Sequence, residues 1–90
     1  MDTPNGLAER GATFWSATLD RYELTDAEMS LLFEACRTLD DLDRLADSIA
    51  ERGAMTDGSQ GQPVVNPALT EARGQRLALH RLLAALDGGF

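Results

Sequence analysis

Two residues that occur only once in this 90-residue chain, Cys36 and His80, have side chains that could carry chemistry. A nucleophilic cysteine needs an activating base nearby, and a metal-binding histidine needs further ligands at fixed spacing. No ligand pattern surrounds His80, and Cys36 falls within an apolar helical stripe. We therefore interpret Cys36 as a small core residue and His80 as a surface or interface residue.

A carboxylate metal site is the second chemical possibility, because three aspartates recur at helical spacing: Asp40, Asp43 and Asp47. A two-metal site would need these carboxylates to converge in a dry pocket. Arg44 can instead pair with Asp40, and Arg37 can pair with Asp41, each four residues apart. The favoured interpretation is a solvated helix face carrying ion pairs.

Phosphate binding by a glycine-rich loop is not supported, because the loop has too few glycines, Gly58 and Gly61, and no lysine follows them. The chain therefore offers no recognisable catalytic residues, and we expect neither a metal nor another cofactor. On this basis it is predicted not to be an enzyme.

The charge of the chain is acidic and unevenly distributed. Its 15 acidic residues and 8 arginines, with no lysine, give −7; residues 1–52 account for −7 and residues 53–90 for zero. This balance argues against broad phosphate binding but allows a local arginine cluster. Arg73 and Arg76 lie three residues apart in the neutral part. They either pair with acids of another helix or form an anion-binding patch.

Cellular location is constrained by composition. A single cysteine permits no intramolecular disulfide, which fits a reducing compartment. Neither a signal peptide nor an apolar run of membrane-spanning length is visible. We expect a soluble, cytoplasmic protein without a membrane partner.

The first predicted element is a short helix over residues 7–22, preceded by a loose arm at 1–6. Its aromatic and aliphatic face comprises Phe14, Trp15, Leu19 and Tyr22, at helical spacing. Gly11 weakens such a helix by about 0.5–1 kcal/mol unless a close contact requires it.

A long helix is predicted over residues 26–52. Thr25 and Glu28 have the spacing of a capping box at its start, and Gly53 can form a left-handed cap at its end. Its apolar stripe runs for about seven turns: Met29, Leu32, Cys36, Leu39, Leu42, Leu45, Ala46 and Ile49.

A loop is predicted at residues 54–66, with a brief extended piece at Val64–Val65. A third helix over residues 67–87 follows, with Asn66 as its cap and Pro67 in its first turn. Its expected inner face is Leu69, Ala72, Arg76, Leu79, Leu83 and Leu86.

The predicted fold is therefore a single all-α domain, with a short N-terminal helix packed on a long antiparallel helical hairpin. A 90-residue chain is too small to bury a stripe about 40 Å long. We expect copies to assemble into a homo-oligomer through a packed seam of five leucines: Leu32, Leu39, Leu42, Leu79 and Leu83.

Several short runs together resemble the small terminase subunits of tailed phages and prophages, particularly those of actinobacterial hosts. The resemblance spans about residues 6–86 and depends on the order and spacing of these runs: Trp15 with Tyr22-Glu23-Leu24-Thr25, Leu32 with Glu34-Ala35-Cys36-Arg37-Thr38-Leu39-Asp40, Leu42-Asp43 with Leu45, Gly58-Ser59-Gln60-Gly61-Gln62-Pro63, Asn66-Pro67, Glu71-Ala72-Arg73 with Arg76, and Leu82-Leu83-Ala84-Ala85-Leu86.

The resemblance implies a non-catalytic role in packaging viral DNA in a bacterial host cell. Such subunits form helical rings, recognise the packaging site on double-stranded DNA, and bring in the large terminase subunit, which supplies ATPase and nuclease. Arg73 and Arg76 are the candidates for DNA contact. Many members add a helix-turn-helix module or a basic tail, and neither is plainly visible in this sequence. The alternatives are a helical adaptor that does not touch DNA and an acidic decoy that occupies a DNA-binding site on a host protein.

Overall fold

The computed structural model describes residues 3–58 and 60–87, and this part of the chain forms three helices and one β-hairpin. In chain order the elements are α1 (Glu9–Arg21), α2 (Asp26–Arg52), β1 (Met55–Asp57), β2 (Pro63–Val65) and α3 (Pro67–Asp87). Of the predicted N-terminal arm, Met1 and Asp2 lie outside the described residues. No helix in the described ranges has both the length and the apolarity that a membrane crossing requires.

The start of α2 confirms the predicted capping box. The Thr25 hydroxyl accepts a hydrogen bond from the Glu28 backbone N–H at 3.2 Å, and the Glu28 carboxylate accepts one from the Thr25 N–H at 2.9 Å. The helix ends at Gly53, whose φ of +80° is positive as predicted. Its ψ of 177° is extended rather than helical, so the chain leaves α2 directly toward β1.

The segment 54–66, predicted as a loop, contains the two strands. They pair antiparallel in the register Met55↔Val65, Thr56↔Val64 and Asp57↔Pro63. The predicted extended piece at Val64–Val65 is therefore part of β2. A positive φ of +80° at Gly61 lets the chain reverse between the strands.

Asn66 joins the ends of the two long helices. Its side-chain oxygen accepts from the Ala68 N–H at 3.0 Å, which confirms the predicted cap of α3. Its side-chain nitrogen donates to the Gly53 carbonyl at 2.9 Å, and its own N–H donates to the Ala54 carbonyl at 2.8 Å. Because Asn66 is only 2% exposed, these bonds hold the start of α3 beside the end of α2.

The core lies at the opposite end of the hairpin, where α1 and α3 both pack on α2. Its buried cluster comprises Trp15, Leu32, Cys36 and Leu86. Leu86, near the end of α3, thus meets the first half of α2, so the two helices run antiparallel. Trp15 also packs edge-on against Phe33, with 6.3 Å between the ring centroids.

The described chain is a rod with dimensions of 52 × 23 × 16 Å and a radius of gyration of 16.0 Å. A compact domain of this length would have a radius of about 12 Å. The reason is that α1 has 13 residues and α2 has 27, so α1 covers only half of the hairpin. Past Asp40, the large apolar residues of α2 are only half-buried: Leu42, Leu45 and Ile49.

The inner face of α3 differs from the predicted one. Arg76 and Leu83, both expected to face inward, are exposed. The inward stripe, buried or half-buried, is Ala68, Ala72, Gln75, Leu79, Leu82 and Leu86, and the predicted Leu69 is half-buried beside it. These steps of four and three residues form one unbroken stripe. Arg76 and Leu83 each lie one position beyond it.

Candidate functional site

Asp40 joins α1 to α2 and is buried despite its charge. One carboxylate oxygen accepts from the Ala8 N–H and the other from the Gly11 N–H, both at 2.7 Å. Ala8, at the start of α1, supplies no side-chain cap of its own. A carboxylate suits this position because it satisfies free N–H groups and lies at the positive end of the helix dipole. Asp40 therefore caps α1 from another helix.

This role corrects the predicted solvated face at Asp40. Arg44 pairs with Asp41 rather than with Asp40. Arg37 pairs with Glu34 rather than with Asp41, and its guanidinium lies 5.9 Å from the Phe33 ring centroid. The ion pairs of α2 are thus three residues apart rather than four, and they leave Asp40 to the backbone of α1.

Gly11 of α1 lies close against α2, facing the Asp40 side chain and the Cys36 backbone. A Cβ atom added there would overlap the Asp40 carboxylate and would lie 2.7 Å from the Cys36 carbonyl oxygen. Gly11 is itself buried. The close contact that would justify a glycine inside a helix is therefore present, and it lets Asp40 reach the N–H groups of α1.

Cys36 is buried in the core, as predicted. Burial, together with the negative charge of Asp40, raises the pKa of its thiol to about 11. At neutral pH the thiol is protonated, whereas a nucleophilic cysteine needs the thiolate.

The remaining members of the aspartate series are exposed on α2. Asp43 forms an ion pair with Arg10 of α1 at 3.0 Å, whereas Asp47 forms none among the described residues. Within the ranges 3–58 and 60–87, no cluster of histidine, cysteine and carboxylate side chains could hold a metal ion. Asp40, Asp43 and Asp47 therefore have separate surroundings and do not converge.

Among the described residues, the predicted arginine pair does not form the ion pairs that were one of its two alternatives. Arg73 and Arg76 are both exposed on α3. In the described part of the chain, neither forms an ion pair with an acid of α2. Both guanidinium groups are therefore available to a ligand that carries negative charge.

An open groove runs between α1 and α3. Phe14, Ala17 and Leu83 line it throughout, with Leu39 toward one end and Leu86 toward the other. Its two sections have volumes of about 530 and 620 Å³. His80, predicted as a surface or interface residue, is exposed at its edge.

The five leucines predicted as the seam fall into three classes of burial. Leu32 and Leu39 are buried, whereas Leu42 and Leu79 are half-buried. Leu83 is 37% exposed. Only two of the five are therefore enclosed within a single chain.

Comparisons of the chain with protein-family models, curated proteins and solved structures find no match.

Proposed function

We propose that this chain is a non-catalytic small terminase subunit that assembles with copies of itself in the DNA-packaging machinery of a bacteriophage or prophage. The sequence resemblance suggests the role. The structural observation that carries the proposal is the half-covered hairpin, because beyond Asp40 no residue of α2 is fully buried. Rods whose apolar seam continues past their own core are suited to side-by-side packing.

Support for the self-association comes from the distribution of apolar side chains. The large apolar residues that remain exposed include Met55, Val65, Leu77 and Leu83. These lie along the hairpin and at its β-turn end rather than in one isolated spot. A neighbouring copy would remove such surface from water, at about 25 cal/mol for each Å² buried.

DNA contact is the second part of the proposal, and Arg73 and Arg76 carry it. Both are exposed, and neither has an ion-pair partner among the residues that the structure describes. Two arginines on one copy bind phosphate weakly. A circular array of copies would present many pairs at once and gain from their effective concentration. The large subunit is the other partner that the resemblance implies.

The test measures assembly and DNA binding on the same preparation. Sedimentation velocity at micromolar concentration is expected to show more than two copies of the 9.7 kDa chain. A gel shift at low salt is expected to show binding to a duplex from the packaging region, with an unrelated duplex of equal length as the control. A folded single chain at all concentrations would overturn the proposal. Equal binding to both duplexes would contradict the part of the proposal that concerns recognition of the packaging site.

The second candidate is a helical adaptor, or an acidic decoy, that does not bind DNA. The charge of the first 52 residues favours it, since 12 acids and 5 arginines lie there. Such a surface repels phosphate at long range. Assembly without any DNA binding at low salt would support this candidate over the packaging role.

A further inference from the structure

The helix α3 has a second apolar side that no described residue of the chain covers. Leu77 is 51% exposed, and Ala84, two turns later on the same side, is also exposed. Arg81 lies one turn after Leu77 and is exposed as well. A helix with apolar residues on opposite sides is typical of one that is packed from both sides.

The helix α2 presents a complementary strip beyond the end of α1. Asp43, Asp47 and Glu51 are exposed and follow one another at four-residue intervals, so they share one side of the helix. Like charges at this spacing destabilise a helix. Arg10 neutralises Asp43, but in the described ranges no ion pair reaches Asp47 or Glu51.

Small residues border this acidic strip. Ala46 and Ala50 are exposed and lie one turn apart, each one position before an acid. Alanines let a second helix approach closely, because they project little from the backbone. The strip therefore combines a shallow apolar surface with two uncompensated carboxylates.

We propose that the Leu77 side of α3 in one copy docks on the acidic strip of α2 in the next copy. In antiparallel packing of the two helices, Leu77 placed over Ala50 brings Arg81 beside Asp47. The match follows because Leu77 and Arg81 on α3, like Ala50 and Asp47 on α2, are separated by about one helical turn. The leucine fills the shallow apolar surface while the arginine neutralises an unpaired acid.

The occupant is a second copy of this chain because the same chain carries both complementary faces. The contact is heterologous, since the two copies contribute different surfaces, and repetition of such a contact gives a ring or a filament. Arg76 lies five residues before Arg81 and so projects about 140° away around the helix. Docking through Arg81 therefore leaves Arg76 outside the contact. Arg73 lies one turn before Leu77, and in this register it falls opposite position 54, past the end of α2 at Arg52.

The inference rests on the proposed self-association and is tested by charge exchange. Arg81→Glu and Asp47→Arg are each expected to raise the concentration needed for assembly by about tenfold or more. An equal mixture of the two variants is expected to assemble again. The reason is that the glutamate introduced in one variant then meets the arginine introduced in the other, while the native pair forms at the alternate contacts. Sedimentation velocity reads all three samples, with circular dichroism as the check of folding.

Matched controls are Arg21→Glu and Asp20→Arg, which make the same charge changes at positions of α1 outside the proposed contact. They are expected to assemble like the parent. Normal assembly of Arg81→Glu and Asp47→Arg, or a mixture that stays dissociated, would overturn the docking contact while self-association stands. A parent that sediments as a single chain would instead overturn the self-association.

Discussion

Asp40 on α2 and Gly11 on α1 link the two helices directly, with the Gly11 N–H donating to the Asp40 carboxylate at 2.7 Å. The residues are 29 positions apart in the chain. The glycine lets the helices approach, and the carboxylate satisfies the start of the helix that approaches it. This link sets where α1 lies on the hairpin, and therefore how much of α2 it leaves uncovered.

Replacing Asp40 with asparagine is expected to lower the free energy of unfolding by about 1–3 kcal/mol. Asparagine keeps the size of the side chain but can accept from only one of the two N–H groups, so the other is left unsatisfied. Chemical denaturation measures the loss. Asp20→Asn, on the exposed side of α1, is the control and should change stability by less than about 0.5 kcal/mol. Equal effects would show that Asp40 does not cap α1.

Replacing Gly11 with alanine is expected to destabilise the chain by about 1–3 kcal/mol, because the added methyl group overlaps Asp40 and the Cys36 carbonyl. Helix propensity alone would give the opposite sign. The control is Gly74→Ala in α3, where a Cβ meets nothing within 4 Å and the gain should be about 0.5–1 kcal/mol. Thermal melts of both variants, at concentrations where the chain sediments as one copy, measure the two changes. A melting temperature raised by both substitutions would contradict the close contact at Gly11.

Leu39→Ala is expected to cost about 2–5 kcal/mol of unfolding free energy, because it removes a buried side chain and leaves a cavity. Leu83→Ala makes the same chemical change at an exposed position and should cost clearly less in dilute solution. Denaturation at two protein concentrations gives the comparison. A small loss for Leu39 would contradict its burial in the core.

The double change of Arg73 and Arg76 to alanine is expected to weaken DNA binding and leave assembly and melting temperature unchanged. Each lost phosphate contact also reduces the salt dependence of binding. Gel shifts at two salt concentrations measure both effects. Arg21→Ala with Arg52→Ala, an exposed pair outside α3, is the control. A destabilised double variant with unchanged DNA affinity would assign these arginines a structural role.

Cys36 should make the free energy of unfolding decrease as the pH rises into the alkaline range. Its thiol pKa is raised from 9.0 to about 11 in the folded chain, so the folded state holds the proton more tightly than the unfolded state. This contribution is complete below about pH 9 and is lost as the pH rises toward about 11. Denaturation of the parent and Cys36→Ala across that range of pH should show a steeper fall for the parent. Parallel curves would contradict the shift.

Features that depend on near neighbours in the chain could be predicted from the sequence. The Thr25–Glu28 capping box and the Asn66 cap use partners two or three residues away, so residue type and spacing are sufficient. The stripe of α2 from Leu32 to Leu39 follows from helical periodicity for the same reason. Gly11 is recognisable as a helix glycine that needs a close contact, but the residues near it in the chain do not predict which residue makes that contact.

Other features could not be predicted, because they depend on pairing across distance. The strands at 55–57 and 63–65 are three residues each, too short for a pattern of alternation, and they exist because the two segments meet. The predicted inward positions Arg76 and Leu83 lie one residue away from the true inner stripe of α3, since its apolar residues lie on more than one side. Which side faces inward depends on contact with α2.

Local residue patterns were enough to establish that the chain forms helices, roughly where they lie, and that they have more apolar surface than one small domain can bury. The environment of individual charges, in contrast, depends on how the helices pack. Asp40, which resembles the other aspartates of α2 in sequence, is a buried cap, whereas Asp47 is exposed. The physical reason is where α1 begins: its first turn lies against Asp40 and Arg10 reaches Asp43, and among the described residues no hydrogen bond or ion pair of α1 lies further along α2.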